Sequence, residues 1–376
     1  MNDPTSVRAF LAPHHLELAR EIAEFSRREI LPLPAPDTDA AARIQAREIL
    51  AKLGMGGWFG KAIPSPDLRA CCLVREALAG ASPLADAVFA LQCLGTTPLL
   101  LANGPADLVE AAAAGRAMAG FAMTEPEAGS DVAAMKTTAR RDGEEYVLDG
   151  RKTLISNAGI ADFYTVFAST DPAKGNKGIS AFVVDAGTHG LRFVKPQVLS
   201  APHPLGELAF EACRVPISRR LRGEGDGFKL GLETLDRLRA TVAAAACGMA
   251  ARALDESIRH AKNRRQFGTS LSEFQIVQQK IATMATDLAA ARLLLYRAAW
   301  EKDEGAERVT LPSAMAKVFA TEAAQRIVDQ SLQILGGAGL LAEHPVERLY
   351  RAVRALRIYE GATEVLQLVI AGALLK

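Results

Sequence analysis

The segments Phe163-Tyr164-Thr165-Val166-Phe167 and Ile179-Ser180-Ala181-Phe182-Val183-Val184 lie near the middle of the 376-residue chain. Both are short, apolar and rich in aromatic or β-branched residues, which is typical of strands. Across residues 119–222, alanine becomes rarer while glycine, threonine, valine and phenylalanine become more frequent. We therefore predict a small, mostly antiparallel β-domain in this region. We expect Asp149-Gly150, directly after Tyr146-Val147-Leu148, to form a hairpin turn.

The regions on either side of this β-domain have helical patterns. Residues 1–118 contain a first apolar stripe and further alanine- and leucine-rich stretches, with a break at Pro64-Ser65-Pro66. Residues 223–376 contain a longer stripe whose members are three or four positions apart: Phe274, Val277, Ile281, Met284, Leu288, Ala291 and Leu295. That spacing predicts one face of a long helix in a helical bundle. The order predicts an α+β protein, mostly α, with domains at 1–118, 119–222 and 223–376.

Composition excludes several functional classes. The chain has 44 basic and 43 acidic residues, so no overall field would attract nucleic acid or an anionic membrane. Its five cysteines form no Cys-x-x-Cys pair and favour buried, reduced thiols, with disulfide or metal roles as minor alternatives. Met1-Asn2-Asp3-Pro4 does not resemble a signal peptide, and we expect no run of membrane-spanning length. These features lead us to expect a soluble, cytoplasmic protein.

Four segments of the sequence carry a family resemblance. They are Phe121–Asp131 (FAMTEPEAGSD), Gly150–Asn157 (GRKTLISN), Arg264–Gly268 (RRQFG) with Gln275 after it, and Gln333–Gly339 (QILGGAG) with Ile358–Thr363 (IYEGAT). In this order they resemble the FAD-dependent acyl-CoA dehydrogenases over nearly the whole chain. The resemblance implies an N-terminal helical domain, a middle antiparallel β-domain and a C-terminal four-helix bundle. It also implies a homotetramer, or a dimer, with FAD between the β-domain and the bundle.

The reaction of that family needs a base. A proton leaves Cα and a hydride leaves Cβ of an acyl-CoA thioester, and an electron-transfer flavoprotein takes the electrons. A solvated glutamate, with a pKa of about 4.3, is a weak base unless burial raises that value. Glu360 lies among Ile358, Tyr359, Gly361 and Ala362, which offer its charge little compensation. We predict that Glu360 is the base, the alternative being a helix-capping or surface glutamate.

Some relatives place the base on an earlier helix. The matching position in this chain is Leu238, which cannot accept a proton. Glu233 is five residues away and therefore points roughly 140° away around a helix. This leaves Glu360 as the candidate.

Further residues receive roles from the same resemblance. Thr124, Ser130 and Ser156 match hydroxyl residues at the flavin, with Ser156 near its N5 atom, although each alone would fit a turn. Arg264 matches an arginine that contacts the FAD pyrophosphate across a subunit interface. The Gly336-Gly337 pair permits close approach to the cofactor and would also end a helix. The residues expected to bind FAD are Phe121, Met123, Thr124, Gly129, Ser130, Leu154, Ser156, Arg264, Phe267, Gln275, Gln333, Gly336, Gly337 and Thr363.

For the acyl-CoA, the resemblance implicates Ser130, Asp236, Arg239, Tyr359 and Gly361. Asp236 and Arg239 would contact its pantetheine and nucleotide portions, or form a solvated ion pair at i,i+3 spacing. The backbone N–H of Glu360 would donate to the thioester carbonyl, as in an oxyanion hole. Decarboxylating relatives bind glutaryl-CoA with an arginine where this chain has Asp86, so the sequence gives no support to that substrate.

Several positions depart from the family pattern. Leu154 replaces a tryptophan beside the flavin, and Ala362 and Leu366 replace a threonine and a glutamine. The stretch Leu199–Gly206 contains His203 where an arginine and a serine are common, and it favours a rigid surface loop. Ala362 and Leu366 lie near the expected cofactor site, whereas Leu154 and the altered loop around His203 point to a cyclic, aromatic or branched acyl group.

Two alternatives to a dehydrogenase stay open. One is a flavin oxidase or monooxygenase of the same fold that uses O₂, although such oxidases usually carry a further C-terminal domain. The other is a non-enzymatic, flavin-containing relative associated with nucleic acid, which would need a strongly basic added domain. The near-neutral net charge and Glu360 both favour the dehydrogenase.

Overall fold

A computed structural model describes residues 4–63 and 67–375. The predicted break at residues 64–66 lies outside the described residues. The chain divides into two compact units, each assembled from separate stretches. Residues 1–33, 67–86 and 236–376 form the first, here called the bundle unit, and residues 34–66 and 87–235 form the second, the sheet unit. The boundaries predicted for three domains stay a prediction.

Helices make up most of the described residues, as predicted. In chain order they are α1 (Pro13–Phe25), α2 (Asp39–Met55), α3 (Leu68–Ala81), α4 (Pro83–Leu101), α5 (Ala106–Ala113), α6 (Gly227–Asn263), α7 (Gln275–Asp303), α8 (Thr310–Leu335), α9 (Pro345–Leu356) and α10 (Thr363–Leu374). Strands lie between α5 and α7. They are β1 (Ala119–Ala122), β2 (Thr138–Asp142), β3 (Glu145–Ser156), β4 (Phe163–Ser169), β5 (Ile179–Asp185), β6 (Leu191–Pro196), β7 (Leu205–Pro216), β8 (Arg220–Leu221), β9 (Arg265–Gln266) and β10 (Thr269–Ser270).

The bundle unit is built on α7 and α8. Helix α7 packs against α3 and α8, and α8 also contacts α9 and α10. The predicted apolar seam is buried from Met284 onward, at Met284, Leu288, Ala291 and Leu295. Helices α3 and α6 approach very closely, because a Cβ on Gly248 would lie 2.1 Å from the carbonyl oxygen of Glu76. Glycine is therefore required there for close helix packing.

The sheet unit contains the predicted β-domain. Its strands run in the order β6-β7-β3-β2-β4-β5-β8, and β1 pairs with β4. The pairs are antiparallel except β1 with β4 and β2 with β4, which are parallel. The two quoted apolar segments form β4 and β5 as predicted, and they bury Phe163, Phe167 and Val183 in a shared core. The sheet is therefore mostly antiparallel, with a mixed centre.

The hairpin turn predicted at Asp149-Gly150 is wrong, because both residues lie inside β3. The register between β3 and β7 shifts there, and the N–H of Ala212 donates to the Asp149 carboxylate at 2.7 Å. Gly150 has a φ of +150°, and a Cβ on it would meet Thr137 at 2.5 Å. The pair therefore forms a β-bulge. The β2–β3 hairpin turns instead at Gly143, whose φ is +63°.

Two predictions from composition have different outcomes. All five cysteines are buried and free, as expected. The expectation that no segment could span a membrane is wrong for α4, which is long and apolar enough by length and composition. Most of α4 is buried within the protein, and a core helix passes the same test, so this is weak support for a membrane span.

Candidate functional site

The segment that joins α9 to α10 holds Glu360 in an unusual backbone conformation. Glu360 has a φ of +54° and Gly361 a φ of +103°. Glycine adopts such angles freely, whereas a left-handed glutamate costs roughly 1–3 kcal/mol. A Cβ on Gly361 would also lie 2.9 Å from Leu366. Strained residues of this kind concentrate at functional sites, so the backbone independently supports the choice of Glu360.

The carboxylate of Glu360 is short of partners. Its Oε2 atom is buried and has no hydrogen-bond partner. Burial raises the pKa of Glu360, and it outweighs the opposing positive charges of Arg75, Arg239 and Lys317. A carboxylate with a raised pKa and a free buried oxygen can accept a proton more readily than a solvated one.

Lys317 of α8 lies beside Glu360, although it was not among the site residues predicted from the sequence. Its side chain is fully buried, and its Nζ donates to the carbonyl oxygen of Gly361 at 2.6 Å. Burial lowers the pKa of Lys317 to about 8, although the charge of Glu360 opposes that change. The available signal was a single lysine in the apolar run Ala314–Ala320, where a buried charge needs a reason.

Arg75 of α3 is a second buried cation that the sequence reasoning missed. Its Nε and Nη2 donate to the two oxygens of Asp86 at 2.8 and 2.9 Å, and its Nη1 donates to Thr241 at 2.8 Å. It also interacts with the predicted substrate residue Tyr359. The Asp86 position thus holds a carboxylate that an internal arginine neutralises, and it offers no cation for a distal substrate carboxylate.

The predicted pair Asp236 and Arg239 forms an ion pair of 2.7 Å. Asp236 also accepts a hydrogen bond from Thr310 at 3.0 Å. Arg239 is only 9% exposed, so the solvated alternative is wrong. Its Nε is buried without a hydrogen-bond partner, and its charge lowers the pKa of Glu360. The structure thus brings Arg239 and Glu360 together.

The other predicted residues of the bundle unit are mostly on its surface. The hairpin of β9 and β10 presents Phe267, which is 94% exposed with a φ of +51°. Gly336 ends α8 with a φ of +60°, so the helix-stop interpretation of the glycine pair holds. The exposed members of the set are Arg264, Phe267, Gln275, Gln333, Gly336 and Gly337. Thr363 differs, because it is buried and its hydroxyl donates to Glu322 at 2.7 Å.

The bundle unit also has a group of potential metal ligands, His14, His15 and Asp67. Asp67 caps α3 by accepting the N–H of Ala70 and accepts a hydrogen bond from His15 Nε2 at 2.8 Å. The other ring nitrogen of His15 accepts the N–H of Ala12. Both nitrogens of His15 are therefore used in structural contacts, and the group is a helix cap.

In the sheet unit, the end of β3 and the loop before β7 form one clasp, defined as residues 153–157 and 197–205. The N–H of Leu154 donates to the side chain of Gln197 at 2.7 Å, and that side chain donates to Thr153 at 2.8 Å. The N–H of Asn157 donates to the carbonyl oxygen of Pro204 at 2.9 Å. Leu154 is 54% exposed and has a φ of +55°. The clasp thus keeps the Leu154 side chain exposed and its backbone in a strained, left-handed conformation.

His203 belongs to this clasp, and the expectation of a plain surface loop is wrong for it. Its Nε2 lies 2.9 Å from the Oγ atom of Ser156, and its Nδ1 is buried without a hydrogen-bond partner. Burial and the neighbouring charge of Arg43 lower the pKa of His203 to about 4. The ring is therefore neutral at neutral pH.

A buried ion pair fixes the neighbouring segment that carries Thr124. Lys152 donates to Glu125 at 2.7 Å and to the carbonyl oxygen of Met123 at 3.1 Å. The N–H of Thr153 donates to the carbonyl oxygen of Thr124 at 3.0 Å, which joins this segment to β3. Neither Lys152 nor Glu125 was among the predicted site residues, although both lie in quoted motifs.

The remaining predicted residues of the sheet unit differ in exposure. The ring of Phe121 in β1 lies 5.0 Å from that of Phe167, and Met123 is buried. Gly129 and Ser130 are exposed in the loop that follows. Thr124, Leu154 and Ser156 are therefore the members of the set that meet at the end of β3.

Comparisons with known proteins agree on one family. Residues 120–213 match the model of the acyl-CoA dehydrogenase middle domain, and residues 225–375 match that of the acyl-CoA dehydrogenase C-terminal domain. The chain is similar to 3-(aryl)acrylate reductase of Clostridium sporogenes, with 40% identity over 98% of this chain and 100% of that protein. It is also similar to subunit CarC of the caffeyl-CoA reductase–Etf complex of Acetobacterium woodii, with 38% identity over 88% and 90% of the two chains.

Among solved structures, butyryl-CoA dehydrogenase from Megasphaera elsdenii has a TM-score of 0.89 to this chain. The identity is 32%, and the match covers 97% of this chain and 99% of that one. The similarity therefore extends over the helical and the strand-rich regions alike.

Proposed function

The chain belongs to the acyl-CoA dehydrogenase family, and on that basis we propose that it converts an acyl-CoA to the 2-enoyl-CoA with Glu360 as the base. Membership makes the chain an oxidoreductase and confirms the predicted fold class. The observation that carries the role of Glu360 is its buried, partnerless Oε2 atom on a strained backbone.

Members of this family are FAD-dependent flavoproteins, and the residues present fit that cofactor. At the end of β3, the exposed apolar Leu154 lies next to the hydroxyl of Ser156, which suits a flat ring with a polar edge. Thr124, Leu154 and Ser156 would hold the ring, and the resemblance implies that Arg264 of a neighbouring subunit would contact the phosphates. When bound, FAD supplies the acceptor for the β-hydrogen and its electron pair.

In the proposed reaction, the substrate's α-proton moves to a carboxylate oxygen of Glu360. Burial makes this carboxylate a stronger base, while Arg239 and Lys317 keep it ionised enough to act. The backbone N–H of Glu360 would stabilise negative charge on the thioester oxygen. Because Glu360 must be deprotonated and its pKa is raised, we expect the acidic limb of the kcat/KM profile to lie above pH 4.5, the ordinary pKa of glutamate.

For the substrate, we propose a 3-arylpropionyl-CoA and its arylacrylyl-CoA product, with an electron-transfer flavoprotein as acceptor. Two relatives of 40% and 38% identity carry aryl substrates in their names, and one is a subunit of a complex with Etf. The replacement of an aromatic residue by Leu154 leaves more room beside the cofactor than a tryptophan would.

The test is an anaerobic titration of the purified flavoprotein with 3-phenylpropionyl-CoA, butyryl-CoA, isobutyryl-CoA and cyclohexanecarboxyl-CoA. We expect the aryl substrate to bleach the flavin fastest. The Glu360→Gln variant should keep its flavin spectrum and bleach about 10²–10⁴-fold more slowly, the usual contribution of a general base. A normal rate in this variant would exclude Glu360. If no acyl-CoA bleaches the flavin, the proposed reaction is wrong, and rapid peroxide formation in air would identify an oxidase.

We also propose that the protein is a homotetramer. The bundle unit exposes large apolar side chains at Phe267, Ile276 and Leu368, which are 94%, 65% and 75% exposed. Such side chains favour burial against another subunit. Light scattering of the purified protein should give the mass of four chains, and a monomer would contradict the proposal.

A further inference from the structure

The hydrogen bond between His203 and Ser156 can run in either direction, depending on which ring nitrogen of His203 carries the hydrogen. A neutral imidazole has one nitrogen that donates and one that accepts. If Nε2 carries the hydrogen, it donates to Ser156 Oγ, and the hydroxyl is free to donate elsewhere. If Nδ1 carries the hydrogen, the Ser156 hydroxyl donates to Nε2, and its oxygen is free to accept.

A partner on the second nitrogen normally fixes the tautomer of a histidine. His15 shows that arrangement, since Ala12 and Asp67 occupy its two nitrogens. His203 lacks it, because its Nδ1 is buried with no partner. No protein group therefore fixes the tautomer of His203: the Nε2–H form leaves Nδ1 as an unused acceptor, and the Nδ1–H form leaves it as a buried donor. The hydrogen bond between His203 and Ser156 runs in opposite directions in the two forms.

Burial is the main reason that the ring of His203 stays neutral in both cases. Arg43 of α2 lowers the pKa of His203, while Asp39 opposes it more weakly. Asp39 is itself paired with Arg43 at 2.6 Å. Arg43 also donates to the carbonyl oxygens of Ala158 and Leu205, so its position next to the clasp is fixed. The ring thus carries one hydrogen throughout, and only the nitrogen that holds it changes.

We propose that His203 is a positioning residue whose change of tautomer lets the Ser156 hydroxyl donate to oxidised flavin and accept from reduced flavin. The proposal rests on the proposed function and on the family resemblance, which implies that Ser156 lies near flavin N5. Oxidised N5 offers a lone pair, and reduced N5 carries a hydrogen. With His203 present, the Ser156 hydroxyl keeps two hydrogen bonds in both states.

Removal of the His203 imidazole should affect the hydrogen bonds of the oxidised and the reduced protein to different extents. In His203→Phe with reduced flavin, Ser156 Oγ accepts from the flavin, and the hydrogen of its hydroxyl has no acceptor. With oxidised flavin, the Ser156 hydroxyl donates to the flavin, and only a lone pair of its oxygen lacks a donor. A buried donor without a partner is less tolerated than an under-used acceptor. The unaltered protein in its reduced state also leaves a buried donor unpaired, the Nδ1–H of His203, so the two costs compete. We therefore expect the flavin midpoint potential of His203→Phe to differ from that of the unaltered protein. His203→Gln should shift it less, because a rotating amide can donate or accept.

The experiment uses the holoenzyme in both redox states, prepared with dithionite and mediator dyes. Nitrogen NMR of the labelled protein should place the ring hydrogen of His203 on Nε2 when oxidised and on Nδ1 when reduced. Spectroelectrochemistry should show that the His203→Phe shift disappears in a Ser156→Ala background. One tautomer in both states, an unchanged potential, or a shift that survives Ser156→Ala would overturn the proposal.

Neither measurement needs acyl-CoA, so the two proposals can fail separately. A protein that acyl-CoA bleaches but whose His203 keeps one tautomer contradicts only the role of His203. A protein whose His203 switches but which no acyl-CoA reduces contradicts only the proposed reaction. If His203→Phe does not fold, the NMR measurement on the unaltered protein and the Gln variant still decide the question.

Discussion

Two buried glutamates, one in each unit, have opposite surroundings. Glu125 of the sheet unit accepts hydrogen bonds from Lys152 and from the N–H groups of Lys136 and Thr137, at 2.7, 2.6 and 3.0 Å. Burial alone would raise the pKa of Glu125, but the charge of Lys152 and these hydrogen bonds lower it overall. Glu360 of the bundle unit has cations nearby yet keeps a buried oxygen without a partner, and its pKa is raised.

Each of these glutamates is accompanied by a lysine whose pKa burial lowers to about 8. Lys152 contacts the Glu125 carboxylate directly, whereas Lys317 donates to the carbonyl oxygen of Gly361. The same two residue types thus give an ion pair in one unit and a carboxylate with a raised pKa in the other. The decisive difference is whether the lysine nitrogen contacts the carboxylate.

The largest effect is expected from Lys152→Met, which leaves the Glu125 charge buried without its cation. Breaking one side of a buried ion pair costs about 3–5 kcal/mol. Denaturant unfolding monitored by circular dichroism should show that loss. The double variant Glu125→Gln with Lys152→Met is the control, and it should recover most of the stability. Equal stability of the single variant and the unaltered protein would show that the pair is not structural.

A smaller effect is expected from Lys317→Met, which acts on catalysis. Loss of the cation raises the pKa of Glu360, so the acidic limb of the kcat/KM profile should move to higher pH. We expect kcat/KM to fall about tenfold at neutral pH, the rate equivalent of one net hydrogen bond.

Lys317→Gln separates charge from hydrogen bonding, since its amide still donates but carries no charge. If the acidic limb shifts in both Lys317→Met and Lys317→Gln, the effect is due to the charge of Lys317. If it shifts only in Lys317→Met, the effect is due to the hydrogen bond with Gly361. If neither profile moves, Lys317 has no influence on the base.

The smallest effect is expected on the stability of Glu360→Gln. A glutamate whose pKa is higher in the folded state contributes stability that is lost as pH rises through that value. The variant should therefore match the unaltered protein near pH 4 and become the more stable of the two as the pH rises to 7. Glu343→Gln, at an exposed position in the turn before α9, is the matched control and should change nothing. A Glu360→Gln variant that is less stable at pH 7 would contradict a raised pKa.

The sequence predicted those parts of the molecule whose signals are local. Strands β4 and β5 were predicted from consecutive β-branched and aromatic residues. Glu360 was predicted from its apolar neighbours and its motif. Asp149-Gly150 shows where local signals fail, because an Asp-Gly pair suits a turn and a bulge equally well. Which one forms depends on Ala212, a residue on a different strand.

The cations around Glu360 depend on contacts that are distant in sequence. Lys317 and Gly361 are 44 positions apart, and Arg75 and Thr241 are 166 positions apart. No spacing rule connects such residues, so a buried lysine or arginine looks like an ordinary helix residue in the sequence. His203 was assigned to a surface loop for the same reason, since its contact with Ser156 spans 47 positions.

The clasp also has a consequence for recombination between relatives. Its two segments, 153–157 and 197–205, hold each other through Gln197, Pro204 and His203. A chimaera with its crossover between them would join a β3 end from one parent to a loop from the other. The hydrogen bond to the N–H of Leu154 would then depend on the residue that the other parent carries at position 197. The two segments should therefore be taken from the same parent, although 39 residues separate them.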